Sequence, residues 1–301
     1  ALEKPAPSGI VIDETGRPAG GAKVWIYSIQ SEWGLGNRTF EETVSDQDGR
    51  FAFKKRLPFK TPNGTRETDH YYVLASQPGK APAWALLTGC GPAPGALTLV
   101  LTPPKSQSCE VVDLQGKPVK GARVWLRFAR DQQRRTPRFA EPFIAPEDAG
   151  LCSAVTDESG RATLANLPDT DRSIAASCPG YEDELGCSTS PQGVARFTLR
   201  PGAVLEGRVT DPLGLPIEDA VVSLRPAFPF HVFFEARTGK DGRYRVEKIW
   251  CNRTDRDWGT YWVSVRHPRL MMPKKEVRFS SGETKTGFDL QIAPGTQILG
   301  T

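Results

Sequence analysis

The sequence predicts an all-β chain of three β-sandwiches in tandem, on three observations. A ten-residue pattern occurs three times at intervals of about 100 residues, as Asp13-Glu-Thr-Gly-Arg-Pro-Ala-Gly-Gly-Ala22, Asp113-Leu-Gln-Gly-Lys-Pro-Val-Lys-Gly-Ala122 and Asp211-Pro-Leu-Gly-Leu-Pro-Ile-Glu-Asp-Ala220. A second shared turn follows each one, at Asp46 to Phe51, Asp157 to Ala162 and Gly239 to Tyr244, always with a Gly-Arg pair before its last residue. The chain also holds 29 Gly and 26 Pro in 301 residues, many for a helical protein, and no window keeps apolar residues at helical spacing for more than two turns.

Each element follows from local chemistry. An apolar run precedes every decapeptide and an alternating run follows it, so the decapeptide reads as a turn between two strands. Gly16, Gly116 and Gly214 supply the positive φ of such a turn, and Pro18, Pro118 and Pro216 pre-set the next φ. After a Pro-containing linker at 1–7, the first unit spans 8–104. Its strand from Ala22 to Ile29 alternates, with Ala22, Val24 and Ile26 on the core face and Trp25 and Tyr27 on the outer one or in an inter-domain contact. A loop from Gln30 to Glu42 carries Trp33 and Phe40. Further strands are expected at His70 to Ser76, Trp84 to Leu87 and Leu97 to Leu101.

The second unit, 105–201, repeats the outward indole at Trp125. It also holds the longest connection of the chain, Ala129 to Gly150, with Arg130, Arg134, Arg135 and Arg138. Such a loop is either a solvated basic segment or a binding loop for an acidic partner. The third unit, 202–294, has Ser223 where the others have Trp. It gathers aromatics at Phe228, Phe230, Phe233 and Phe234, and at Trp250, Trp258, Tyr261 and Trp262, with Trp262, Ser264 and Arg266 on one strand face. Residues 295–301 read as the start of a further repeat or a terminal extension, and the first alternative makes the chain a piece of a longer protein.

The order of the decapeptide, an alternating strand, the Asp-Gly-Arg or Ser-Gly-Arg turn, another strand and a Pro-Gly pair resembles the carboxypeptidase regulatory-like domain. The resemblance covers almost the whole chain, three times over. It implies transthyretin-like or Ig-like Greek-key sandwiches, a non-catalytic module of envelope and secreted proteins, and no activity by itself. Cys178-Pro-Gly-Tyr181 is only a partial echo of the B-type repeats of collagen adhesins, so no internal isopeptide bond is expected.

Signatures of catalysis are missing. His70, His231 and His267 stand far apart without a second ligand at metal spacing, and neither a zinc-peptidase motif nor a Ser-centred elbow occurs. No enzyme activity, cofactor or metal is expected, and the acidic turns at Asp46 with Asp48 and Asp157 with Glu158 read as turn formers rather than calcium ligands. A net charge of +4 without an RNA- or DNA-binding signature argues against nucleic acid. No apolar run reaches the roughly 20 residues of a membrane span. The six Cys show no C-x-x-C pair; Cys109, Cys152, Cys178 and Cys187 are disulfide candidates, with Cys178 to Cys187 the favoured short loop, and they point to an oxidising compartment. The sequons at Asn37, Asn63 and Asn252 fit an extracellular, periplasmic or envelope location. The favoured function is a binding or spacer array for a protein partner. One alternative is polysaccharide binding through Trp25, Tyr27, Trp33 and Trp125, whose rings can stack on a pyranose. Another is the sensor or accessory ectodomain of a membrane-bound peptidase.

Overall fold

A computed structural model describes residues 6–29, 38–55, 70–87, 96–129, 143–144, 152–170, 172–189, 193–227, 234–251, 259–267, 270–271 and 274–294. Every regular element among them is a β-strand, and the chain is a tandem of Ig-like sandwiches. It divides into two compact units, one of 1–112, 118–176 and 185–197, the other of 113–117, 177–184 and 198–301. Among the described residues no helix is long and apolar enough to cross a membrane.

In the first sandwich β1 (Ser8–Asp13) lies between β4 (Arg50–Ala52) and β7 (Leu97–Leu101), facing a sheet in which β2 (Lys23–Ile29) lies between β3 (Arg38–Val44) and β5 (His70–Ser76), with β6 (Ala83–Leu87) beside β5. The first strand runs antiparallel to β4 but parallel to β7, in register from Gly9 with Leu97 to Asp13 with Leu101. Val11, Phe51, Leu99 and Leu101 meet Val24, Ile26, Tyr71, Val73 and Ala75 in its core. Burying each such aliphatic side chain contributes about 1.5–3 kcal/mol before chain entropy is set against it.

The second sandwich repeats the arrangement. Its β8 (Lys105–Asp113) lies between β12 (Arg161–Leu167) and β15 (Val194–Leu199). Its β9 (Arg123–Ala129) pairs with β10 (Phe143–Ile144), β11 (Ser153–Val155) and β13 (Arg172–Ser177), and β14 (Glu184–Thr189) follows β13. In the third, β16 (Ala203–Thr210) pairs with β19 (Arg243–Ile249), β23 (Thr284–Lys285) and β24 (Leu290–Gln291). The other sheet sets β17 (Val221–Pro226) between β18 (Phe234–Arg237) and β20 (Thr260–Arg266), with β21 (Leu270–Met271) and β22 (Lys275–Arg278) both on β20 and β25 (Ala293–Pro294) on β21.

The decapeptide is the same clamp in each repeat. Asp13 Oδ1 accepts the amides of Thr15 and Arg17 at 2.8 and 3.0 Å. Asp113 does so for Gln115 and Lys117, and Asp211 for Leu213 and Leu215. The glycine that follows has φ of 82°, 78° and 81° at Gly16, Gly116 and Gly214, a left-handed backbone that a side chain would strain. The second turn is built alike around Asp46 and Asp157, whose Oδ1 atoms accept the amides of Arg50 and Arg161. In the third repeat Gly239 replaces that Asp, and Asp241 takes the Arg243 amide instead.

The two turns of a repeat lock together. The carbonyls of Gly49, Gly160 and Gly242 accept the amides of Val11, Val111 and Val209. A Cβ at these glycines would sit 2.3, 2.4 and 2.6 Å from the Val11, Val111 and Val209 carbonyl oxygens, so no other residue fits. A hydroxyl just before the second turn completes the clamp. Ser45 Oγ donates to the Ala19 carbonyl at 2.6 Å and accepts the Ala22 amide. Thr156 bridges Val119 and Ala122, and Thr238 bridges Ile217 and Ala220, in the same way. In the second and third repeats a bulge later in the strand re-aims the chain, with Asn166 at φ 56° and Lys248 at φ 58° where the β8–β12 and β16–β19 registers shift.

Candidate functional site

The sheet containing the second strand of each repeat is where the sequence places its outward indoles. Trp25 does stand on the face opposite Val24 and Ile26, but it is only 8% exposed. Its cross-strand neighbours are Leu74, 0% exposed, and Glu42, whose Oε2 accepts the indole Nε1–H at 3.0 Å. Tyr72 on the same face is equally covered. Around Trp25 the sheet is therefore covered on both sides, while Lys23, Glu42 and Val44 nearer its edge stay exposed. Trp125, 6% exposed, repeats the correction, with the Arg123 guanidinium 5.8 Å from the ring centroid. On the same strand face Arg127 Nη1 donates to the Leu185 carbonyl at 2.5 Å, and burial pushes its pKa down. Neither indole is free to stack on a sugar. Tyr27 pairs through its backbone with Tyr72, and its side chain lies outside the described residues, as do Trp33, Arg130, Arg134, Arg135 and Arg138.

The third sandwich differs at this face. Ser223 takes the place of the indole and donates to Glu235 Oε1 at 2.7 Å, with Arg266 3.4 Å from the same oxygen. Two residues along β20 from Ser264, Trp262 is 36% exposed, between Arg225 on β17 and Glu276 on β22. Its strand neighbours Tyr261, Val263 and Val265 point the other way, into the core. The alternation read from the sequence holds here without modification.

A groove of about 460 Å³ runs over the outer face of the three-stranded sheet of the second sandwich. Ser108, Glu110, Arg161, Thr163, Val194 and Arg196 line it. The Glu110 carboxylate lies 3.8 Å from Arg161 and 3.1 Å from Arg196, both of which remain largely exposed. Cross-strand pairs this open to water contribute little to stability, on the order of 0–1 kcal/mol each.

The cysteines overturn the disulfide expectation. Cys109, Cys152, Cys178 and Cys251 are free thiols, so the Cys178 to Cys187 link is not made. The Cys187 side chain is not among those described. The thiols act as small core groups instead: Cys152 donates to the Asn166 carbonyl at 3.1 Å, and burial pushes Cys152 and Cys251 up to about 12. The oxidising compartment therefore loses this support. Near Cys109 and Cys152 lies Arg172, 3% exposed, which donates to the Pro168 carbonyl at 2.7 Å and to Gln107 Oε1 at 3.1 Å. Desolvation lowers its pKa.

Sequence reasoning missed Arg172 and the hydroxyl clamp of Ser45, Thr156 and Thr238. For the clamp a signal existed, since a hydroxyl residue directly precedes the second turn in all three repeats. Among the described residues no group of three or more His, Cys, Asp or Glu could hold a metal ion.

No protein-family model matches the sequence, and no curated protein matches it. Among solved structures, 97% of the chain is similar to 51% of the Bacillus anthracis TIE protein, at 12% identity and a TM-score of 0.25. The streptococcal ancillary pilin is covered over 99% by 97% of the chain, at 14% identity and 0.26, and GBS52, the minor pilin of Streptococcus agalactiae, over 99% by 65%, at 10% and 0.33. The chain spans about half the length of the first of these. The fold rests on the strand pairing described above.

Proposed function

We propose that the chain is a binding and spacing array of carboxypeptidase regulatory-like sandwiches, part of an envelope or secreted protein that presents its sheet faces and loops to a protein partner. The observation that supports this most is how little chain joins one repeat to the next. Only 102–104 separate β7 from β8, and only 200–202 separate β15 from β16, each stretch with proline. The second connection is also held by hydrogen bonds. The Arg200 carbonyl accepts the Glu182 amide at 2.8 Å, the Pro201 carbonyl the Gly282 amide at 3.1 Å, and Gly202 donates to Gly180 at 3.0 Å. Lys248, from its bulge, reaches Ser177 Oγ at 2.5 Å and Asp183 Oδ1 at 2.9 Å. A Cβ on Gly202 would come within 2.8 Å of the Lys248 Cα.

Such connections suit an array that keeps its modules at set intervals. The test is small-angle scattering of the whole chain, alone and with Gly202→Val. A narrow distribution of arrangements that broadens in the variant is expected. A freely jointed distribution in the unaltered chain would sink the spacing role.

A further inference from the structure

We propose that the outer face of the β18–β17–β20–β22 sheet in the third sandwich is an oligosaccharide-binding site centred on Trp262. In the first two repeats the matching sheet carries Trp25 and Trp125, and both are covered. With Ser223, itself buried, at that position, the third face instead leaves one indole, Trp262, exposed among polar side chains. Trp262 is the only large apolar side chain on it that is exposed among the described residues, and it contributes nothing to the core cluster beneath.

The ring has hydrogen-bonding groups on four sides. Arg225 and Glu276 are its cross-strand neighbours, both exposed, and Thr260 and Ser264 flank it along its own strand, both half-buried. These positions lie roughly 5 Å away across strands and about 7 Å away along the strand. A pyranose has the complementary form: a face of C–H bonds that stacks on an aromatic ring, rimmed by hydroxyls that both donate and accept. Arg225 and Glu276, on the two strands that flank Trp262, supply the chemistry such a rim needs, one donating and one accepting. A protein partner fits less well, because the centre of a protein interface is a cluster of apolar anchors depleted in charge, and here one ring stands alone among charges. The site does not depend on the spacing role proposed above.

The experiment is a titration of the ¹⁵N-labelled chain with cellohexaose, chitohexaose and hexagalacturonate, followed through the indole N–H of Trp262 and the amides of Arg225, Ser264 and Glu276. Saturable shifts of these signals with at least one probe are expected. Trp262→Ala should weaken that binding at least tenfold, while Trp262→Phe retains part of it. Glu276→Gln, at an exposed position that leaves the fold intact, should also weaken it. The proposal is overturned if none of the three probes moves these signals, if the shifts map elsewhere, or if affinity survives both Trp262→Ala and Glu276→Gln.

Discussion

At the residue scale, a single hydroxyl joins the two turns of each repeat. Thr156 donates to one carbonyl and accepts one amide, both in buried surroundings, so an isosteric Val leaves two polar backbone groups without their partner. Thr156→Val should cost about 1–3 kcal/mol, read as a lower urea midpoint, whereas Thr156→Ser keeps the bonds and most of the stability. Thiol burial sets a second expectation. Cys152 and Cys251 hold their protons up to about pH 12 when folded, against an ordinary value of 9.0. The unfolded chain therefore releases protons that the folded chain retains, and stability declines as pH rises from 9 toward 12. Urea midpoints measured across that range should fall less steeply in Cys152→Ala. Neither effect was legible as such. The hydroxyl appears in the sequence three times, but its two bonds exist only once both turns have folded together. The cysteine count likewise says nothing about whether two sulfurs face each other, and Cys109 and Cys152 each turn toward a backbone carbonyl.

At the element scale, strands and turns were readable because their chemistry is local. The Asp-to-amide bonds span at most four residues and need only the turn itself, so Asp46 and Asp157 could be read as turn formers in advance, while the same bonds at Asp13, Asp113 and Asp211 went unread. Alternation likewise assigned Trp25 and Trp262 to faces correctly. What it could not supply was whether a face is covered, because burial is decided by segments distant in sequence, and Leu74 and Tyr72 already show the face beside Trp25 to be closed. The glycines of the second turn make the sharpest test. Gly160 combines φ 71° with a carbonyl 2.4 Å from where a Cβ would stand. Gly160→Ala should lower stability by at least about 2 kcal/mol, beyond the usual cost of a left-handed alanine. Gly116→Ala at φ 78° meets nothing within 4 Å and should lose less, which thermal unfolding of the two variants would rank.

At the scale of the whole molecule, the repeat was the strongest signal in the sequence. Three copies of one pattern predict three copies of one arrangement, and the strand orders about β1, β8 and β16 correspond. The function stayed hidden for the same reason. A repeated pattern reports what the copies share, which here is the clamp that makes them fold, whereas the open face at Trp262 arises where the third copy departs from the other two. The parallel pairing of β1 with β7 has one more consequence. These are the first and last strands of the first sandwich, side by side and running the same way over five registered residues. Tension applied through the two ends of that sandwich pulls the strands past each other lengthwise, so their rungs bear the load together in shear and cannot be peeled apart one at a time. A module loaded in this way yields at a pace set by its unfolding barrier, a quantity distinct from its equilibrium stability.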